Sequence, residues 1–164
     1  MCCILVSLLE HLPMLKKKFT DYKTYADAQI TDLFNSSELT GSTTLKANNL
    51  QTIYLENTGK SLKIKVLPTQ VQFTPVYAIA SADVNSDGKK DLILAGNLST
   101  ARIKFGKYDA SNGTVLLGDG KGNFKYVSST QTGLSLRGDV RSLETVGRKL
   151  VVGVNNEKVR VYGF

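Results

Sequence analysis

The chain has 164 residues, of which 41% are hydrophobic and 21% charged, values that are ordinary for a globular protein. Its formal net charge is +7, but the basic residues are scattered, and the tight basic run is Lys16 to Lys18. No RNA-module signature with stacked aromatic residues accompanies them, which argues against nucleic acid as the main partner. Cys2 and Cys3 are adjacent, so the sequence predicts neither a disulfide framework nor a zinc site.

The first forty residues show apolar side chains at helical spacing, first in the opening stretch and again over 22–34. The sequence therefore predicts a helical segment over residues 1–40, with Pro13 between two helices, Thr20 as the cap of the second and Asn-Ser-Ser at 35–37 as its end. The opening stretch lacks a basic n-region and a small-residue cleavage site, and it is too short to cross a bilayer. We expect no membrane span, and no signal peptide is visible in this chain.

From Leu45 the hydrophobic period changes to two, which is typical of strands. Ile53 and Leu55 alternate with polar residues, and the same alternation returns over 62–66. The Asn-Thr-Gly-Lys sequence at 57–60 is a turn signal. The two runs predict an antiparallel hairpin at the start of a β-rich region that covers 45–164.

Two short apolar runs, 76–84 and 91–96, flank a loop rich in oxygen-bearing side chains. Its positions one, three, five and nine carry four such residues: Asp83, Asn85, Asp87 and Asp91. Gly88 at position six permits a sharp turn, and the carbonyl of Lys89 at position seven adds a backbone ligand. Ca²⁺ takes six to eight oxygen ligands at about 2.3–2.6 Å, which such a loop can supply. The spacing predicts a calcium site.

Two alternatives compete with this interpretation. An EF-hand shares the first half of the pattern, but it has Glu at position twelve and flanking helices, whereas here position twelve is Leu94 and the flanks are strand-like. A metal-free turn rich in Asp, Asn and Gly is the other alternative. Three carboxylates within nine residues would repel one another without a counterion, and this favours the metal.

The remaining strands follow the loop in two groups. A long loop over 98–113 precedes a hairpin whose turn is the Gly-Asp-Gly-Lys-Gly sequence at 118–122. A phosphate-binding loop would open a helix, whereas 123–127 has the pattern of a strand. Three further strands are predicted at 140–146, 150–154 and 159–162. The strand count is two, then four, then three.

The acidic loop, the Leu-Ile-Leu-Ala-Gly-Asn run after it and the Val-Leu-Leu-Gly-Asp-Gly-Lys-Gly-Asn-Phe segment at 115–124 together resemble an FG-GAP/VCBS repeat. Such repeats occur in integrin-alpha-like β-propellers, and the resemblance covers about 75–127. It implies a mainly β fold, a partial β-propeller with one complete four-stranded blade and parts of two others, next to the N-terminal helical segment. The resemblance further implies that the chain is a C-terminal fragment of a larger bacterial protein, with upstream blades missing.

No catalytic constellation emerges from the sequence. His11 is the one histidine, and it lies far from any Ser or Cys in a nucleophile setting. We therefore expect a non-enzymatic protein: a calcium-stabilised propeller module of a secreted or cell-surface protein, with periplasmic location as a variant, that contacts protein or glycan. The alternatives are the non-catalytic part of a carbohydrate-active or other extracellular enzyme, and, less favoured, an RNA-binding protein.

Overall fold

The computed structural model describes residues 10–101 and 103–164. The chain divides into two compact units, Met1–Asn48 and Asn49–Phe164. The helix predicted in the opening stretch lies outside the described residues. Among the described residues, no helix has the length and apolar character needed to cross a membrane.

The first unit contains short helices in place of one long one. A 3₁₀ turn at Pro13–Lys17 precedes α1 (Tyr22–Ala26), α2 (Ile30–Leu33) and α3 (Ser36–Leu39). The prediction of a continuous helix over 22–34 was therefore wrong.

Local capping explains where these helices begin. The N-cap of α1 is Asp21, whose carboxylate accepts the Thr24 amide at 2.8 Å, so the prediction that Thr20 caps this helix was wrong. In both α2 and α3, the carboxylate of the third helical residue accepts the backbone N–H of the residue that precedes the helix. In α2, Asp32 accepts the N–H of Gln29 at 2.8 Å. Glu38 binds the amide of Asn35 at 2.7 Å in the same way, so the Asn-Ser-Ser run begins a helix rather than ending one.

The second unit is a series of antiparallel strands. Nine strands are present in the described residues: β1 (Ile53–Asn57), β2 (Leu62–Val66), β3 (Val76–Ala82), β4 (Asp91–Gly96), β5 (Thr114–Gly118), β6 (Phe124–Val127), β7 (Val140–Val146), β8 (Lys149–Val154) and β9 (Arg160–Gly163). They form sheets of two, four and three strands, each in chain order. The predicted mainly β character and the strand count of two, four and three are confirmed.

In residues 49–101 and 103–164, three helical turns lie between these strands. Two are 3₁₀ turns, at Thr69–Gln72 and Ile103–Phe105, and the third is the short helix α4 (Ser129–Thr132), which the sequence analysis did not predict. The long loop over 98–113 is tied at its base by paired backbone hydrogen bonds between Leu98 and Tyr108, at 2.8 and 3.0 Å.

The four-stranded sheet is the centre of the second unit because both of its faces are packed. One face joins the three-stranded sheet in a core formed by Ala78, Ala80, Ile93, Ala95, Leu136, Val140, Leu143, Leu150, Val152 and Val154. The opposite face contributes Leu94 and Leu116 to a second core with Leu67 and Val71. Burial on both faces explains why β4 is apolar at five consecutive positions after its first residue. The acidic loop connects the first two strands of this central sheet.

Candidate metal centre

The acidic loop spans residues 83–90, between the end of β3 and the start of β4. Its backbone turns sharply at two residues with positive φ, Ser86 at 63° and Gly88 at 79°. Glycine adopts this conformation without the steric cost that a side chain brings. The glycine at position six thus has the conformational role that the sequence predicted.

Side-chain oxygens of Asp83 and Asn85 converge inside the loop. Asp83 Oδ1 and Asn85 Oδ1 both accept the backbone N–H of Asp87, at 3.0 and 3.1 Å. Asp83 Oδ2 accepts the N–H of Gly88 at 2.8 Å. These bonds hold the side chains of Asp83 and Asn85 against the backbone of residues 87–88.

Asp87 completes this group. Its Oδ1 accepts the backbone N–H of Lys89 at 2.9 Å, and the Lys89 ammonium lies 3.5 Å from Oδ2. The pKa of Asp87 is lowered, chiefly by the hydrogen bond from the Lys89 amide. The Asn85 side chain and the charge of Lys89 lower this pKa further. The carboxylate therefore stays ionised at neutral pH, as a cation ligand must.

Asp91 has a different environment, because it is completely buried. Its Oδ2 accepts the backbone N–H of Val84 at 2.9 Å, which closes the acidic loop. Its Oδ1 accepts the N–H of Gly118 at 2.9 Å, at the end of β5. Asp91 therefore joins the two loops at this end of the four-stranded sheet, a structural role that the ligand spacing alone did not predict.

The residue at 118 has to be glycine for this link to form. A Cβ built on Gly118 would lie 2.2 Å from the carbonyl oxygen of Lys90, a distance that real Cβ atoms do not show. The close approach of the two backbones lets Asp91 reach across to the neighbouring turn. Sequence signals for this link were present: a carboxylate opening a buried strand and a glycine ending another.

The oxygen donors of the loop are of the chemical type that a hard cation prefers, although they are not gathered around one position. Asp83, Asn85, Asp87, Asp91 and the Lys89 carbonyl are all oxygen donors, and each carboxylate oxygen has lone pairs beyond those that bind amides. Within residues 10–101 and 103–164, no three acidic, His or Cys side chains are grouped closely enough to hold a metal. Binding would thus require the carboxylates of the loop to come closer together.

A second acidic turn, residues 118–124, lies beside the first. Asp119 accepts the amides of Lys121 and Asn123 at 2.7 and 3.0 Å and the Asn123 side-chain amide at 2.6 Å. The pKa of Asp119 is lowered to about 2, and the hydrogen bond from the Asn123 side chain is the largest cause. The turn forms the predicted hairpin between β5 and β6, and Asp119 is held by protein donors.

This second turn already contains a protein cation. The Lys65 ammonium, from β2, lies 3.3 Å from the Lys121 carbonyl oxygen, 3.1 Å from that of Gly122 and 3.4 Å from Asn123 Oδ1. Glu56 from β1 adds a carboxylate oxygen at 3.1 Å. Four oxygens thus surround one ammonium, which fastens the β1–β2 hairpin to the four-stranded sheet.

Comparisons of the whole chain with protein-family models, with curated proteins and with solved structures gave no match.

Proposed function

We propose that this chain is a calcium-stabilised, non-enzymatic binding or scaffold module, built as part of a β-propeller of a secreted or cell-surface protein. The observation that carries the proposal is the convergence of Asp83 and Asn85 oxygens on one backbone N–H, in a loop that joins two strands. An ion in that loop would stabilise the fold by tying together β3 and β4. Its partner would be a protein or a glycan.

Calcium would be held by the five oxygen donors of the acidic loop. Asp83 and Asn85 would supply side-chain oxygens that already share one backbone N–H. Asp87 would supply a carboxylate that now accepts the Lys89 amide, and Lys89 would supply a carbonyl. Asp91 is close through Val84, although its two oxygens also hold backbone amides. A bound ion would offset the repulsion among these carboxylates, which is why the loop should be more ordered with the metal than without it.

The stacking of the sheets supports the propeller part of the proposal. One face of the central sheet packs against another antiparallel sheet, as in a blade, and the other face packs against Leu67, Val71 and Tyr54 of the segment that contains the β1–β2 hairpin. The outer face of the β1–β2 hairpin carries apolar side chains, of which Leu62 is 63% and Ile64 58% exposed. Leu55 and Val66 flank them on the same face through the register of the hairpin. A further blade would bury this face.

Thermal unfolding of the full chain, with and without calcium, tests the proposal. Calcium should raise the melting temperature, because a ligand present at 100 times its Kd stabilises the folded state by about 2.7 kcal/mol. Asp83→Ala and Asp87→Ala should each lose most of this shift. Asp119→Ala is the matched control, since it removes an acid from the neighbouring turn, and it should keep most of the shift.

Two results would contradict the calcium site. The first is an unchanged melting temperature of the unmodified chain across a calcium titration. The second is an equal loss of the calcium shift in all three variants, which would mean that the ion binds elsewhere or that the effect is one of general charge.

A further inference from the structure

A cavity of about 410 Å³ lies between the four-stranded and three-stranded sheets. Its floor is formed by Ile93 of β4 and Leu150 of β8, both almost fully buried. The side walls are mainly apolar and include Val115, Leu117, Val127, Leu134, Tyr162 and Phe164. This volume lies within the range of about 300–1,000 Å³ that is usual for small-molecule sites.

The cavity lies away from β3 and β7, neither of which contributes a lining residue. Near β3 and β7 the space is filled by small and branched side chains such as Ala80 and Val140. Farther out, β6 has no counterpart on the other side, since β9 pairs only with β8 in the part of the chain that the structure describes. A wedge-shaped space with apolar walls remains there.

The rim of this cavity carries a cation. Arg148, in the turn between β7 and β8, donates to the Ser86 hydroxyl at 2.9 Å, next to the lining residue Asn85. Its guanidinium carbon lies 5.7 Å from the ring centre of Phe164, a lining residue that directly follows β9. None of the ion pairs between described residues involves Arg148. A positive charge that forms no ion pair within the described residues therefore lies beside the cavity, between Ser86 and Phe164.

The interior offers little to a polar molecule. The hydroxyl of Tyr162 already donates to the Ser135 carbonyl oxygen at 3.0 Å, which fixes the ring. The polar side chains that line the cavity are Asn85, Gln131 and Thr132, and all three are exposed. Apolar walls with polar and positive groups at the rim suit a ligand that is itself divided into an apolar body and an anionic head.

We propose that this cavity binds an anionic amphiphile, whose aliphatic body fills the space between the sheets and whose carboxylate meets Arg148. The proposal goes beyond the calcium site and does not require it, because the apolar floor and most of the apolar walls come from β4, β5, β6, β8 and β9; Asn85 is shared with the acidic loop, so the test is made without calcium. Failure of one proposal would leave the other standing.

Isothermal titration of the full chain with decanoate, in calcium-free buffer, tests the inference. Decanol, which has the same body without the charge, is the paired probe. Decanoate should bind with one site per chain and about tenfold more tightly than decanol, because a hydrogen bond to a charged group commonly contributes that much or more.

Two pairs of variants separate the cavity from the general surface. Val127→Phe should abolish binding of both probes by filling the space, whereas Val161→Phe should leave it unchanged, because Val161 is 59% exposed and does not line the cavity. Arg148→Gln should weaken decanoate about tenfold and leave decanol unaffected. Lys149→Gln, which removes the neighbouring exposed charge, should change neither.

Circular dichroism establishes that each variant is folded, and Leu117→Phe replaces Val127→Phe if the latter is not. Undiminished decanoate binding in the cavity-filling variant would overturn the proposal. So would light scattering that shows a dimer lost only in that variant, since a second copy would then fill the cavity. Binding to phosphatidylglycerol vesicles without binding of decanoate would also overturn it, because the target would be a lipid surface.

Discussion

The two acidic turns at one end of the four-stranded sheet differ in where their positive charge comes from. In the turn at 118–124, the Lys65 ammonium lies among four oxygens, and Asp119 is held by three nitrogen donors of the same turn. In the loop at 83–90, the nearest ammonium is that of Lys89, at 3.5 Å from a single carboxylate oxygen. Protein donors thus hold the oxygens of the turn at 118–124, whereas in the loop at 83–90 the side-chain oxygens bind backbone amides and one ammonium, and Arg148 binds the Ser86 hydroxyl.

The difference shows that acidic residues in a turn do not by themselves indicate a metal. Asp119 and Asn123 have the residue types of a cation site, yet Asp119 accepts amides of its own turn and Asn123 Oδ1 lies beside the Lys65 ammonium of β2. Among the described residues, Arg148 reaches the loop at 83–90 from the turn between β7 and β8, but it binds the Ser86 hydroxyl and pairs with no carboxylate there. We therefore place the calcium there, and each prediction below compares the two turns.

Asp91→Ala should have the largest effect. The variant leaves the amides of Val84 and Gly118 without their acceptor, and the second of these bonds is buried. An unsatisfied buried amide costs about 1–3 kcal/mol, so the free energy of unfolding should fall by roughly 3 kcal/mol. Urea denaturation in metal-free buffer measures this loss.

Asp83→Ala provides the control for Asp91. The amides of Asp87 and Gly88 that it releases are in exposed bonds, where water can replace the carboxylate. In metal-free buffer its cost should stay below about 1 kcal/mol. Equal losses in the two variants would show that Asp91 does not link the two turns.

Lys65→Met should have a smaller effect, confined to the second turn. The variant keeps the apolar stem but removes the ammonium from its four oxygens, and the side chain is 22% exposed. The expected loss is about 1 kcal/mol in the free energy of unfolding, because solvent replaces part of the interaction. Lys63→Met, an exposed lysine on the same strand, should cost almost nothing; a comparable cost would mean that the ammonium does not fasten the hairpin.

The strands could be predicted because their pattern is local. Alternation of apolar and polar residues located β1 and β2, and turn residues at 57–60 and 118–122 located the hairpins. The helices of the first unit were predicted less well. Apolar spacing that includes Tyr25 and Ile30 fits one continuous helix as well as two short ones, so the spacing does not show where a helix ends. Whether Asp32 caps the second helix depends on a side-chain hydrogen bond that periodicity does not encode.

The residues of the candidate site could be predicted from the sequence, but their hydrogen bonds to distant parts of the chain could not. The spacing of Asp83, Asn85 and Asp87 indicated which oxygens would share a turn. The pairing of Asp91 with Gly118 joins residues 27 apart in the chain, and that of Lys65 with Asn123 joins residues 58 apart. Such contacts follow from how the sheets stack, which a pattern of neighbours in sequence does not specify.

Acid titration should reveal the smallest difference between the two turns. The pKa of Asp119 is lowered from 3.8 to about 2, first by the side chain of Asn123 and then by the amides of Asn123 and Lys121. Because the folded-state pKa is the lower one, the stabilisation is complete above about pH 4 and is lost as the pH falls toward 2. Carboxyl ¹³C NMR should show Asp119 titrating near pH 2. In Asn123→Ala, which removes the largest cause, the pKa of Asp119 should move back toward 3.8.

The pKa of Asp87 is the control. Its main donor is the Lys89 amide, so this pKa should not move in Asn123→Ala, since the two turns have separate donors. A common shift would mean that the turns titrate as one cluster, and the contrast between a lysine-neutralised turn and an ion-binding loop would fail.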